Sequence, residues 1–261
     1  MTPESEGKTA AQAFREAYRL GLAPIGDIVE LVNMTGFDVV GIPAGNKDHG
    51  LTARDEQTGA IVVVVSTSVP SVRFRSNVAH ELGHLQFPED LQVAETHSRR
   101  GWQESRAQSF ARHLLLPVEA VEAESTAWPN ASHRDLLNLL VRRYGLSPMM
   151  AAYQMRRARI IDETECQQFC QYTCPQLARI YGWTDLNNAR DEAVRKLVPP
   201  RRLAQLSIEA YRQGELSPAE LAVVLHTTVE TVVADHGQPP VQAKPARRKP
   251  VPTLADDDLV D

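Results

Sequence analysis

The stretch Ser76-Asn77-Val78-Ala79-His80-Glu81-Leu82-Gly83-His84-Leu85 carries the pattern His-Glu-x-x-His, and its reading decides how the rest of the chain is taken. Ser71 to Leu85 has helical apolar spacing, with Ser76-Asn77 near its start and Pro88 just past its end. At ~100° per residue, two histidines four apart lie about 40° from each other on one helix face, so both imidazoles reach one tetrahedral metal. Glu81 follows one step round the helix. From there its carboxylate can contact a water on the metal without being a ligand, which is the position a general base requires. Zinc at such a site lowers the pKa of its water toward ~7 and polarises a scissile carbonyl. The competing reading is a surface helix that merely carries these residues, and what lies on either side bears on the choice.

Upstream, apolar positions at helical spacing predict two helices, over Thr9 to Leu20 and Pro24 to Asn33. After Gly36 come short β-rich runs, Asp38 to Ile42, Gly50 to Ala53 and Ala60 to Ser66, separated by Pro43, Gly45, Asn46 and Gly59. They predict a small antiparallel sheet whose last, apolar strand offers an edge for an extended peptide. Downstream, a helix is expected from Trp102 to Leu116, stopped by Pro117. Within it Ala107, Phe110, Ala111 and Leu114 recur at packing spacing, and Glu104 near the start is the only carboxylate between residues 104 and 117. A catalytic zinc takes three protein ligands and keeps one open position, so His80, His84 and Glu104 would complete a set. Read alone, Glu104 is better explained as an acid favoured by the helix dipole.

His80 to His84, followed by Glu-x-x-Ala-x-x-Phe-Ala-x-x-Leu-Leu-x-Pro from Glu104 to Pro117, closely resembles the ImmA/IrrE family of metallopeptidases. The resemblance takes in Gly50-Leu51-Thr52-Ala53-Arg54 and covers roughly Ala10 to Asp162. It implies an α+β, zincin-like domain that cleaves a helix-turn-helix repressor. It also implies His80, His84 and Glu104 as metal ligands with Glu81 as the catalytic base. One departure stands out: many members carry a second acid where this chain has Arg106. The group stabilising the oxyanion is unassigned, with His97, His113 and Tyr144 as candidates that are more often surface or packing residues.

The remaining signals are weaker. Arg134 to Arg143 and Ser147 to Ile160 read as two helices joined by Tyr144-Gly145-Leu146, a helix-turn-helix spacing. Between His133 and Ile160 six arginines face the single acid Asp135, which suits an acidic partner, although a solvated packing face is the commoner outcome. Cys166, Cys170 and Cys174 are four apart on a segment expected to be helical until Pro175, which would put them on one face. With no fourth cysteine for an iron-sulfur cluster, they read as buried thiols. A C-terminal helical pair is expected within 201–236; from Leu203 to His236 a single arginine stands against five acids, which opposes DNA binding and favours protein contact.

The chain of 261 residues has 43% apolar and 23% charged residues, as an ordinary globular protein does. Its formal net charge of -5 gives no global pull toward nucleic acid or anionic lipid. The polar, acidic start lacks a secretory signal pattern and no apolar run approaches a membrane span, so the expectation is a cytoplasmic protein with no membrane partner. The expected organisation is a zincin-like domain over 9–125, a helix-turn-helix-like extension over 126–161 and a cysteine-containing connector over 162–200. The helical pair over 201–236 and a disordered, proline-rich tail over 237–261 complete it. The function expected is zinc-dependent proteolysis of a helix-turn-helix repressor, with manganese as an alternative ion at a looser site. The rival is a DNA-binding regulator or protein-interaction adaptor whose zinc site is structural or vestigial.

Overall fold

The computed structural model describes residues 2–43, 50–54, 61–87, 97–196 and 199–240. Packing divides the chain into a unit ending at Pro200 and a second beginning at Arg201.

Helix α1 (Pro3–Ala17) starts earlier than its apolar spacing predicts, because Thr2 and Ser5 form a capping box ahead of it. Its inner face, with Ala11 and Phe14, packs against α4 (His97–Leu115), where the Phe14 and Phe110 rings meet edge to face at 5.9 Å. Gly7 lets the two helices touch: a Cβ there would lie 2.4 Å from the carbonyl oxygen of Arg106. Asp27 caps α2 (Ile28–Met34) by accepting from the amides of Val29 and Glu30.

Three strands follow: β1 (Asp38–Ile42), β2 (Leu51–Arg54) and β3 (Ile61–Ser66). The expectation of an antiparallel sheet is corrected here. The order is β1-β3-β2, with β1 parallel to β3 (Val39 opposite Val63) and β2 antiparallel to β3 (Thr52 opposite Val63), so the sheet is mixed. Successive short strands suggest pairing in succession, but β1 and β2 are not neighbours. Both flank β3, whose Ile-Val-Val-Val-Val run suits a central strand. The outer strands are therefore β1 and β2, and β3, the apolar strand expected to provide an edge, is paired on both sides.

Helix α3 (Ser71–Leu85) lies between this sheet and α4. Pro117 stops the α4 region and begins α5 (Val118–Ala127). A capping box of Ser132 and Asp135 starts α6 (His133–Tyr144), and Gly145 at φ 63° ends it. Ser147 then caps α7 (Pro148–Arg157), so the predicted helix-turn-helix spacing forms a real turn.

The segment expected as a connector holds α8 (Glu163–Phe169), α9 (Cys174–Tyr181) and α10 (Thr184–Arg195). Cys166, Phe169, Leu177, Trp183 and Val194 are buried in the same core as Phe110 and Leu137. The cysteines do not share one helix: α8 ends with Cys170 as its C-cap, and Cys174 opens α9.

The second unit contains three helices where a pair is expected: α11 (Arg201–Arg212), α12 (Pro218–Val224) and α13 (Val229–His236). A left-handed turn at His226 (φ 52°) separates the last two. Tyr211, Leu221, Ala222 and Val232 form its own small core. The proline-rich tail expected from residue 237 lies outside the described residues beyond 240.

Candidate metal centre

Helix α3 earns its position from both ends. Pro70 precedes it without a side-chain cap, and the Asp191 carboxylate of α10 instead accepts from the Ser71 amide at 2.8 Å. Phe74, Val78, Leu82 and Leu85 bury one face of α3. Gly83 faces α4 so closely that a Cβ would lie 3.1 Å from both the Cα and the oxygen of Ala107. One turn before these two small residues stand His80 on α3 and Glu104 on α4. The close crossing is what brings them together.

His80 Nε2 lies 3.1 Å from His84 Nε2 and 3.1 Å from Glu104 Oε2, and His84 Nε2 lies 3.6 Å from Glu104 Oε1. The two imidazole planes are nearly perpendicular, at 83°. These three side chains are the only group of potential ligands so assembled among the described residues, with every donor atom within 4.8 Å of the others. Bonds of ~2.0–2.1 Å to a tetrahedral ion place ligand atoms roughly 3.3 Å apart, so the donor set fits a divalent metal in both chemistry and spacing. Hydrogen bonds with His80 and His84 hold the Glu104 carboxyl well below the usual carboxylate range, favouring its charged, ligating form. The histidines are largely buried, while the Glu104 side chain is 46% exposed, so the centre opens to solvent on the α4 side.

Glu81 is buried and is not part of the three-residue group. Its carboxylate rests on β2, where the Thr52 hydroxyl donates to Oε2 at 3.0 Å. A Cβ at Gly50 would lie 3.0 Å from Oε1. Sequence reading missed this contact: Gly50-Leu51-Thr52 belongs to the motif that carries the resemblance, but no spacing rule links residue 52 to residue 81.

Two residues weighed as oxyanion stabilisers are committed elsewhere. His113 is buried with Nε2 at 2.9 Å from Glu4 Oε1. The Tyr144 hydroxyl donates to Glu124 and to the Leu22 carbonyl, and burial with the neighbouring Glu124 charge pushes its pKa up to about 12. His97 opens α4, and its side chain lies outside the described residues. Arg106 is buried, pairing with Glu6 at 3.2 Å and lying 3.6 Å over the Phe87 ring. It therefore ties α1 and the end of α3 to α4.

The arginine excess along α6 and α7 is smaller than the sequence count suggests. Arg143 pairs with Glu124 at 3.0 Å, Arg157 with Glu4 at 2.7 Å, and Arg156 with Glu163. The acids come from α5, α1 and α8, beyond any local count.

Residues 35–156 match the model of a peptidase family described as the IrrE N-terminal-like domain, a little under half of the chain. No curated protein matches it. The matched part is thus a peptidase domain of a typically metal-dependent class, with an α+β, zincin-like fold. This segment belongs to the ImmA/IrrE family, and it contains β1 to β3, the three potential ligands and Glu81. Helices α1 and α2 lie before it and α8 to α13 after it. No helix among the described residues is long and apolar enough to cross a membrane.

Proposed function

We propose that the chain is a zinc-dependent endopeptidase of the cytoplasm that cleaves a helix-turn-helix transcriptional repressor. The observation that carries this reading is the convergence of His80, His84 and Glu104 beside a buried Glu81 that is held apart from them by Thr52. A purely structural zinc site closes its fourth position with another ligand and has no use for a base alongside. When bound, the metal supplies Lewis acidity that polarises the scissile carbonyl and acidifies a water.

His80 and His84 would hold the ion, with Glu104 as third ligand. Glu81 takes the proton from the water as it attacks and passes it to the leaving amine. In this reading an extended substrate segment pairs with the outer strand β2, whose Thr52 hydroxyl hydrogen-bonds Glu81. The choice of a repressor as substrate rests on the family, and manganese would serve the same ligand set if the site is loose.

The test is co-expression with candidate repressors, read on a gel. Glu81→Gln is nearly isosteric and should keep the metal and the partner yet lose cleavage, by about 10² to 10⁴ in rate. Cleavage that survives in Glu81→Gln would refute the assigned base. Metal content undiminished in Glu104→Ala would move the third ligand elsewhere.

A further inference from the structure

A cavity of about 370 Å³ lies in the first unit between the loop before α2, the first turns of α3, the end of α6 and the last turns of α10. It shares no residue with the metal centre. Its volume falls within the ~300–1,000 Å³ usual for small-molecule sites. Ile25, Ile28, Phe74 and Val194 give it apolar walls, and Arg75 and Arg190 bring two guanidinium groups to it.

The two arginines are differently committed. Arg75 donates to the carbonyls of Gly145 (3.1 Å), Gly26 (2.9 Å), Ile25 (2.7 Å) and Tyr144 (3.4 Å), so it is locked in place by two chain segments. Arg190 spends one N–H on the Arg142 carbonyl at 2.9 Å and makes no other hydrogen bond with a described residue. Neither forms a salt bridge among the described residues. The Asp27 carboxylate also lines the cavity, but it accepts from the amides of Val29 at 2.8 Å and Glu30 at 3.2 Å. Arg143 at the rim is paired with Glu124.

Two cations have thus been brought near each other against an apolar wall, and the one acid lining it, Asp27, offsets part of the charge on Arg75 while also capping α2, so positive charge remains in excess. Burial first, and the Arg190 charge second, push the Arg75 pKa down to about 10. Burial and the Arg142 charge lower that of Arg190 as well. An arrangement that strains its own charges in this way is relieved by an anion, and guanidinium forks match the geometry of carboxylate and phosphate oxygens.

We propose that this cavity is a binding site for a small oxyanion ligand, a carboxylate or phosphate carried on a compact apolar body, with Arg190 as its principal anchor. The apolar body sits against Ile28, Phe74 and Val194. Arg75 contributes charge from its fixed position. Ile25, Ile28, Arg190 and Val194 lie outside the segment that matches the family, while Phe74 and Arg75 lie within it. A bound ligand would join α10 to the first turns of α3, the helix that carries His80, Glu81 and His84.

The experiment is calorimetric titration of the purified full-length chain with phenyl phosphate, benzoate and inorganic phosphate. Saturable binding of phenyl phosphate or benzoate at one per chain is expected, at least about tenfold tighter than inorganic phosphate, which lacks the apolar body. Which of the two organic anions binds better identifies the ligand as phosphate or carboxylate. Arg190→Ala should weaken binding by about tenfold or more. Ala193→Phe places bulk at the mouth from an exposed position and should abolish binding without altering any charge. If Arg190→Ala proves too unstable to titrate, Ala193→Phe decides. Absence of saturable binding by both organic anions overturns the proposal. So does binding that Ala193→Phe leaves unchanged, because the anion then sits elsewhere, at the metal included.

Discussion

Replacing Gly83 by alanine tests whether the α3–α4 crossing sets the metal geometry. The added Cβ would sit 3.1 Å from the Cα and oxygen of Ala107 and 3.2 Å from Phe110 Cδ1, where ordinary contact begins at 3.4 Å. The obstacle is helix backbone and a buried ring rather than the end of a flexible side chain, so α4 must retreat by a few tenths of an ångström. His80 and Glu104 each stand one turn before the contact, and their 3.1 Å separation lengthens with it. Overpacking of this kind costs about 1–3 kcal/mol, while alanine in a helix returns roughly 0.5–1 kcal/mol relative to glycine. A net loss of about 0.5–2 kcal/mol in urea unfolding of the metal-free protein is expected, with zinc affinity reduced at least about tenfold in chelator competition. Gly101→Ala is the control: it lies in α4 with open space around it and should show only the propensity gain. Zinc affinity within about twofold of the parent in Gly83→Ala, together with raised stability, would refute the reasoning.

Thr52→Val should retain metal yet slow cleavage by about tenfold or more, and Thr52→Ser should restore it; equal rates in all three would show that the hydroxyl does not position Glu81. Glu4 predicts an acid dependence of stability. Although burial raises its pKa, the His113 hydrogen bond and the Arg112 and Arg157 charges hold it down to about 2 from 4.5. The ionised form stabilises the fold above about pH 4.5, and that contribution disappears as the pH falls toward 2. Glu4→Gln should therefore lower stability at pH 7 by about 1–3 kcal/mol and flatten the acid limb; an unchanged limb contradicts the assignment. Serine at Cys166, Cys170 and Cys174 together should leave metal content intact but cost about 1–2 kcal/mol at each of the buried positions 166 and 174. A visible chromophore lost in that variant would reveal a cluster instead. Truncation after Pro200 should leave a folded, metal-binding unit, and failure to bind metal would join α11–α13 to the first core.

Local periodicity made the helices legible: Ala107, Phe110, Ala111 and Leu114 mark the face of α4, and His80 and His84 share a face because four residues span little more than a turn. Illegible were the contacts that span the chain. The parallel pairing of β1 with β3 depends on strand order, to which an alternating pattern is blind. The arginines of α6 and α7 looked like a basic surface until Glu4, Glu124 and Glu163 arrived from three other helices. The cysteine segment looked like a connector because its apolar positions are sparse, yet Leu177 and Trp183 bury fully enough to hold α9 and α10 in the core.

Glu104 falls between these cases. Twenty residues separate it from His84, so no helical period relates them, and in the helix expected from Trp102 it stands near the start, where the dipole is explanation enough; α4 in fact begins at His97, which puts Glu104 about two turns inside and removes that explanation. The resemblance named it, but a physical trace of its role was present in the sequence all the same. Gly83 and Ala107 are the small residues one turn beyond His80 and Glu104, and in the structure they meet so closely that a Cβ on Gly83 would lie 3.1 Å from the Ala107 backbone. Helices come close only where both surfaces carry small side chains. A glycine in the middle of an otherwise well-packed helix costs stability and so calls for such a partner. Ala107 within the apolar stripe of α4 supplies it and fixes the axial register of the pair. Once that register is set, Glu104 is the carboxylate on α4 that meets both histidines.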